Sequence, residues 1–92
     1  MKRFIPGLLI LTTAQALQAA PDPARGRQLH DAHCMQCHDT SVYTRENRRI
    51  HDMQGLQKQV RRCELSLGLR WFDEDVNSVV RYLDDNFYHF GK

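Results

Sequence analysis

Apolar residues in the second half of the chain recur at the spacing of α-helices. One stripe, at i, i+3, i+7 and i+10, predicts a middle helix that ends near a turn at Gly68; its members are Met53, Leu56, Val60 and Cys63. A second stripe predicts a final helix, with Asp73 as its N-cap and further acids in its first turn; its members are Val76, Val79, Val80, Leu83 and Phe87. Both patterns indicate helices that bury one face.

A shorter helix is predicted upstream, over residues 24–33, because Pro23 suits a first helical turn. Residues 39–52 are polar and arginine-rich with no clean period, which predicts an irregular loop in which Val42 and Tyr43 turn inward. The alternation typical of strands is absent from the sequence. We therefore expect an all-α domain with three or so short helices.

The start of the chain has the three parts of a secretory signal peptide. Lys2 and Arg3 form a basic segment, and an apolar run and a small-residue tail that reaches Ala20 follow it. The apolar run is shorter than the roughly 20 residues that cross a bilayer, which favours cleavage over a membrane anchor. We expect a cleaved signal peptide over residues 1–20, Sec-dependent export to the periplasm, and one domain over residues 21–92 with no membrane span.

Charge is segregated along the rest of the chain. Cleavage after Ala20 would leave basic and acidic residues in equal number, with the bases concentrated in residues 45–62 and the acids in residues 73–85. A dipole of this kind would orient a docking partner, although two solvated helix faces would have the same pattern. Nucleic acid is not an expected partner, because the basic segment lacks the interleaved aromatic residues of single-strand binders.

The chemistry of the chain is indicated by one short motif, the Cys-x-x-Cys-His sequence at Cys34 to His38. Two thiols with two residues between them can reach the two vinyl groups on one porphyrin edge, and the next residue places an imidazole at the iron. We therefore predict one covalent haem c, attached through thioethers to Cys34 and Cys37, with His38 as the proximal iron ligand.

Three other interpretations of the cysteines have less support. A structural zinc site needs a second ligand pair, and the chain offers only Cys63 with scattered histidines. A redox dithiol is typical of a βαβ context, which this helical sequence lacks. Structural disulfides would leave one of the three cysteines without a partner.

With this motif and these helices the chain resembles the class I c-type cytochromes of bacteria. The resemblance covers residues 21–92, with Gly26 ahead of the motif on the first helix and Val-Val-Arg-Tyr-Leu at residues 79–83 on the last. It implies a cytochrome c-like fold in which the helices wrap around one haem. It also implies that the first and last helices cross at a close contact between Gly26 and Tyr82 or Leu83.

The sixth iron ligand departs from that family's pattern, in which a Met usually lies shortly before the last helix. No Met occupies that place, so Met53 is the first candidate and Cys63 the second. A thioether ligand raises the potential of a haem and a thiolate lowers it. His51 and an open site are further alternatives. Outside a ligand role, Met53 would fill the core, and Cys63 would be a small buried residue or a thiol bonded to a partner protein.

For several other side chains the sequence permits only less specific predictions. Three histidines are expected to be partly exposed at the surface: His30, His33 and His89. Three arginines could offer forked donors to haem propionates: Arg45, Arg48 and Arg49. Trp71 could pack on the haem with its N–H toward a propionate, or pack in the core beside Phe72.

The function that these features predict is a periplasmic monohaem cytochrome c that carries single electrons between redox partner proteins. It would not be an enzyme, because the acids lie at the exposed start and end of the last helix rather than beside a nucleophile. The missing late Met favours an alternative in which an open distal site binds or senses a small ligand. The charge dipole and Cys63 favour a third possibility, a haem subunit of a larger oxidoreductase.

Overall fold

The computed structural model describes residues 20–91, so the signal peptide predicted over residues 1–20 lies, apart from Ala20, outside the described residues. This part of the chain is helical, and it contains no strand. Its α-helices are α1 Pro23–His33, α2 Ser41–Thr44, α3 Met53–Leu67 and α4 Asp73–Leu83. A 3-10 turn, Cys34–Gln36, follows α1, and a π-helical turn, Asp84–Tyr88, extends α4. The predicted all-α class is confirmed.

Local capping accounts for the bounds of α1 and α3. The Asp22 carboxylate accepts hydrogen bonds from the first backbone N–H groups of α1, at 3.0 and 3.3 Å, and Pro23 occupies the first helical position. Asp52 caps α3 by accepting from the Gly55 N–H at 2.7 Å. The helix ends at Gly68, whose φ of 67° is in the left-handed region. Both helices match the prediction.

The predicted N-cap of α4 is wrong by one residue. Phe72 is the N-cap, and Asp73 is the first helical residue. The reason is that Asp75, three residues on, reaches back to accept from the Phe72 backbone N–H at 3.3 Å, so the cap position itself needs no polar side chain. The Phe72 side chain is 75% exposed, so it does not pack in the core beside Trp71.

Helices α1 and α4 cross at Gly26. A Cβ atom at this position would lie 2.0 Å from the Ser78 carbonyl oxygen and 3.0 Å from the Tyr82 Cβ, so only glycine permits this approach. The crossing also includes a hydrogen bond of 3.0 Å from the Asp22 N–H to the Ser78 hydroxyl. The expected proximity of Gly26 and Tyr82 is confirmed, although the closest contact is with the backbone of Ser78.

The core lies between α2, α3, α4 and the π-helical turn. Its buried apolar residues are Tyr43, Leu56, Val60, Val76, Val79, Val80, Leu83 and Tyr88. Tyr43 turns inward as predicted, but it does so on α2, which forms within the segment predicted as a loop. Asp39 holds the start of α2 by accepting from the backbone N–H and the hydroxyl of Ser41 at 3.0 and 2.6 Å. Met53 and Phe87 are half-buried at the edge of this core.

The end of the described chain is held by hydrogen bonds to a buried acid. Asp84 is only 3% exposed, and its carboxylate accepts from the backbone N–H groups of Phe90 and Gly91 at 2.6 and 3.0 Å. The expectation that the acids at the end of the last helix are exposed is therefore wrong for Asp84. None of the helices among residues 20–91 is both long and apolar enough to cross a membrane.

Candidate functional site

A cavity of about 480 Å³ lies between α2, α3 and the segment that follows α1. Its volume is within the range of roughly 300–1,000 Å³ typical of small-molecule and cofactor sites. Much of its wall is apolar, with side chains that include Val42, Ile50, Leu56, Val60, Val79 and Leu83. Cys34, Cys37 and His38 all line it as well. The three residues of the predicted attachment motif therefore share one apolar space.

The two thiols of the motif differ in environment. Cys34, in the 3-10 turn directly after α1, is half-buried, whereas Cys37 is exposed. Burial, and then the nearby Cys63 thiol, raise the pKa of Cys34 to about 11. The Cys34 thiol is consequently protonated at neutral pH in the polypeptide as it stands.

The His38 ring is oriented by a neighbouring backbone group. Its Nδ1 lies 3.0 Å from the carbonyl oxygen of Asp39. Because a carbonyl can only accept, Nδ1 carries a proton, and in the neutral ring Nε2 is then the nitrogen with the free lone pair. The ring of Tyr43 lies edge-on to His38, with 5.6 Å between ring centroids. A histidine held through one ring nitrogen with the other nitrogen available is the usual arrangement of a metal ligand.

The structure places the three candidates for the sixth iron ligand, Met53, Cys63 and His51, in different environments. Cys63 lines the cavity, is half-buried, and accepts a hydrogen bond from Gln59 Nε2 at 3.4 Å. Met53 is not among the lining residues; it packs at the other end of α3, with its Cε 3.9 Å from where a Gly91 Cβ would lie. His51 is exposed and does not line the cavity either. The structure brings only Cys63 of these candidates to the cavity.

The arginines predicted near the motif have two different roles. Arg45 and Arg49 line the cavity together with Arg62, and within residues 20–91 none of the three forms an ion pair with a carboxylate. Arg48 does not line the cavity. It donates to the Tyr43 carbonyl oxygen at 2.9 Å, and its guanidinium lies 4.9 Å from the centroid of the Tyr88 ring. Arg48 therefore supports α2 from outside.

Most acids at the last helix form ion pairs with arginines, which weakens the negative end of the charge dipole expected from the sequence. Each of three acids pairs with an arginine, in the pairs Asp73–Arg61, Asp75–Arg25 and Asp85–Arg81. Arg61 also donates to the buried Glu64 at 3.0 Å and, with the Trp71 N–H, holds the pKa of Glu64 below its usual range. The charged side chains that line the cavity without an ion-pair partner within residues 20–91 are therefore the positive ones of the three arginines.

The histidines outside the motif do not share one environment. The expectation that His30 is partly exposed is wrong: its side chain is 0% exposed and lies 2.8 Å from the Tyr43 hydroxyl. The cause is the close crossing of α1 and α4, which brings the centroid of the Tyr82 ring to 5.3 Å from that of the His30 ring. His33 is half-buried, lines the cavity and lies edge-on to Trp71. His89 is exposed, as predicted.

Trp71 is half-buried; it lines the cavity and also packs against the hydrophobic core. The buried Glu64 fixes the backbone at this point, since its carboxylate accepts from the Trp71 N–H at 3.1 Å. Sequence reasoning missed Glu64. An acid on the apolar side of a helix was the only signal in the chain that could have identified it.

No protein-family model matches this chain, and neither a curated protein nor a solved structure matches it. Among residues 20–91, no group of three His, Cys, Asp or Glu side chains is placed to hold a metal ion. The functional assignment therefore depends on the chain's own residues, above all on the Cys-x-x-Cys-His motif and the cavity that it lines.

Proposed function

We propose that the protein is a monohaem c-type cytochrome that carries single electrons between redox partners in the periplasm. One observation carries this proposal: Cys34, Cys37 and His38 line the same apolar cavity of about 480 Å³. A motif whose spacing suits two vinyl groups and an iron thus faces a space suited to a macrocycle. When bound, the haem supplies one-electron chemistry through its iron.

The chain's residues would have distinct roles at such a cofactor. Cys34 and Cys37 hold it through thioethers, and His38 ligates the iron through Nε2. The Asp39 carbonyl keeps the imidazole in the required tautomer by accepting from Nδ1. The apolar side chains of α3 and α4 exclude water from the cavity, and burial of this kind is one of the factors that set the potential of a haem.

The crossing of α1 and α4 supports a cytochrome c-like fold for this chain. The resemblance to class I cytochromes implied a glycine–aromatic contact between the first and last helices. Gly26 and Tyr82 make that contact, where a Cβ at residue 26 would come within 3.0 Å of the Tyr82 Cβ. The proposal accordingly includes helices wrapped around one haem.

The free positive charges at the cavity support an acidic redox partner. Arg45, Arg49 and Arg62 are exposed, and Cys37, one of the two attachment residues, is exposed beside the same cavity. Charges of one sign around the site of electron transfer raise the encounter rate with a partner of opposite charge. We therefore expect docking at the cavity rather than across the acids of α4.

The proposal is tested by purifying the protein from cells competent in cytochrome maturation and measuring its intact mass and reduced visible spectrum. We expect the mass of the processed polypeptide plus one haem, and a c-type spectrum after denaturation. Cys34→Ser and Cys37→Ser should each remove one thioether and change that spectrum. Cys63→Ser is the matched control for covalent attachment: it removes a thiol but leaves the attachment motif intact, so the spectrum after denaturation should be unchanged. A wild-type mass equal to the bare polypeptide would refute the proposal.

Carbon monoxide distinguishes an electron carrier from a protein with an open distal site. An electron carrier whose iron has two protein ligands should bind CO slowly in the ferrous state and be low-spin in the ferric state. Rapid CO binding together with a high-spin ferric spectrum would instead favour binding or sensing of a small ligand.

The docking surface is tested with two small oxidants of opposite charge. Oxidation by an anionic reagent such as ferricyanide should slow as salt is raised, and it should slow further in Arg49→Gln and Arg62→Gln. Oxidation by a cationic cobalt complex should show the opposite salt dependence. Lys58→Gln is the control, since Lys58 is exposed but does not line the cavity. Equal effects of all three substitutions would contradict docking at this surface.

A further inference from the structure

The cavity contains one more cysteine than the attachment motif uses. Cys63 lies on the α3 wall, together with Leu56 and Val60 from the same helix face. That face therefore points into the space that the motif lines from the other side. Cys63 is also half-buried, and it lines the cavity.

Two other side chains of the cavity that could ligate a metal, those of Tyr43 and Glu64, are already engaged in hydrogen bonds. The Tyr43 hydroxyl lies 2.8 Å from His30 Nε2. The Glu64 carboxylate accepts from Arg61 at 3.0 Å and from the Trp71 N–H at 3.1 Å. Neither of these groups can bind a metal without losing a partner inside the protein.

The methionines and His33 are less suitable than Cys63. Neither Met35 nor Met53 lines the cavity. His33 does, but it directly precedes Cys34 and is tied by the chain to the edge at which the macrocycle would be attached. Cys63 approaches from a separate helix, so its position does not depend on the attachment segment.

We infer that Cys63 is the second axial ligand of the haem iron, with His38 as the first. This inference rests on the proposed function, because it requires a haem in the cavity. The sulfur binds as a thiolate, so coordination releases one proton to solvent and changes no oxidation state. Gln59 Nε2 donates to the sulfur at 3.4 Å, and Arg62, adjacent in the chain, lines the same cavity.

Thiolate ligation would make this protein a carrier for low-potential electrons. A thiolate donates charge to the iron and stabilises the ferric state, whereas a thioether stabilises the ferrous state. The absence of a late Met from the sequence then reflects a different sulfur ligand rather than an open site.

The test uses the haem-loaded protein and compares Cys63→Ala with Met53→Leu by ferric optical and electron paramagnetic resonance spectra. We expect a low-spin ferric wild type with the signature of thiolate ligation. Cys63→Ala should lose that signal and raise the midpoint potential, while Met53→Leu should leave both unchanged. A Cys63→Ala protein that keeps the wild-type low-spin spectrum would overturn the inference, as would a wild type that is high-spin.

Three further measurements test the inference if the Cys63→Ala variant does not fold. Cys63→Met keeps a sulfur in place and should replace the thiolate signature by that of a thioether. In the wild type, Cys63 should resist alkylation until the protein is denatured, and the protein should be a monomer under non-reducing conditions. Rapid alkylation, or a disulfide-linked dimer with an unchanged spectrum after reduction, would show that the thiol serves another purpose. A wild type without haem would refute the proposed function itself and is recognised separately by its mass.

Discussion

His30 and Tyr43 form a buried hydrogen bond that joins α1 to α2, with 2.8 Å between His30 Nε2 and the Tyr43 hydroxyl. His30 Nδ1 lies 3.0 Å from the Asp31 carboxylate, which can only accept, so Nδ1 carries a proton and, in the neutral ring, Nε2 accepts from Tyr43. Burial, and then the nearby Cys34, raise the pKa of Tyr43, so the hydroxyl keeps its proton. Since the Tyr43 ring also contacts His38, this bond positions the cavity wall beside the candidate iron ligand.

Tyr43→Phe should leave His30 Nε2 buried without its donor. We expect the free energy of unfolding to fall by about 1–3 kcal/mol, the usual effect of leaving a buried polar group unsatisfied. Urea unfolding of the haem-loaded protein measures this change. Tyr82→Phe is the control, because the Tyr82 hydroxyl makes no hydrogen bond within residues 20–91 although its ring also contacts His30. Equal losses in the two variants would contradict the role of the hydrogen bond.

Gly26→Ala should force α1 and α4 apart. The new Cβ would lie 2.0 Å from the Ser78 carbonyl oxygen, a backbone atom that no side-chain rotation can move away. We expect a loss of about 3 kcal/mol or more in the free energy of unfolding, as for severe overpacking of a core. Ala32→Gly, on the exposed side of the same helix, should lower stability by only about 0.5–1 kcal/mol. A Gly26→Ala protein as stable as that control would show that the two helices do not cross here.

Asp84→Asn should loosen the C-terminal turn. The buried carboxylate accepts from two backbone N–H groups, those of Phe90 and Gly91, and an amide would place a donor against one of them. We expect a loss of about 1–3 kcal/mol and faster hydrogen exchange at Phe90 and Gly91. Asp85→Asn breaks only the surface pair with Arg81 and should change stability by less than about 1 kcal/mol. Unaltered exchange in Asp84→Asn would contradict this account.

The Asp31 carboxylate should stabilise the protein in a pH-dependent manner. The hydrogen bond from His30, and then the nearby charges, hold the pKa of Asp31 below its ordinary value of 3.8. Between its pKa in the folded state and 3.8, Asp31 binds fewer protons in the folded state than in the unfolded state. Its contribution to the free energy of unfolding is therefore complete above pH 3.8, and it is lost as the pH falls through the pKa of the folded state. Unfolding of wild type and Asp31→Asn should differ at neutral pH and converge in acid. A difference that stays constant with pH would contradict the assignment.

The helix bounds could largely be predicted from the sequence because they depend on groups a few residues apart. Asp22 and Asp52 cap the helices that follow them, and Gly68 ends α3 in the left-handed conformation. The start of α4 was mispredicted for a local reason as well. Its capping acid is Asp75, which reaches back to Phe72, so the usual rule of a polar N-cap does not apply.

The candidate site was predictable only where its residues are contiguous. The spacing of Cys34, Cys37 and His38 is a property of the chain. Met53 and Cys63, by contrast, share one stripe of α3 and could not be distinguished by periodicity. They are separated by about 15 Å along the helix axis at 1.5 Å per residue, and only the packing of α3 decides which end meets the cavity.

By itself the sequence determined the helical class, the bounds of α1 and α3 and the attachment motif, because hydrophobic period, helix-ending residues and motif spacing act over short stretches of chain. The tertiary structure decided that His30 is buried, that Asp73 and Asp75 of α4 are paired with arginines, and that Cys63 rather than Met53 lines the cavity. These features depend on how helices distant in the chain pack together, above all on the crossing at Gly26. No local pattern of residues encodes the distance between two such helices.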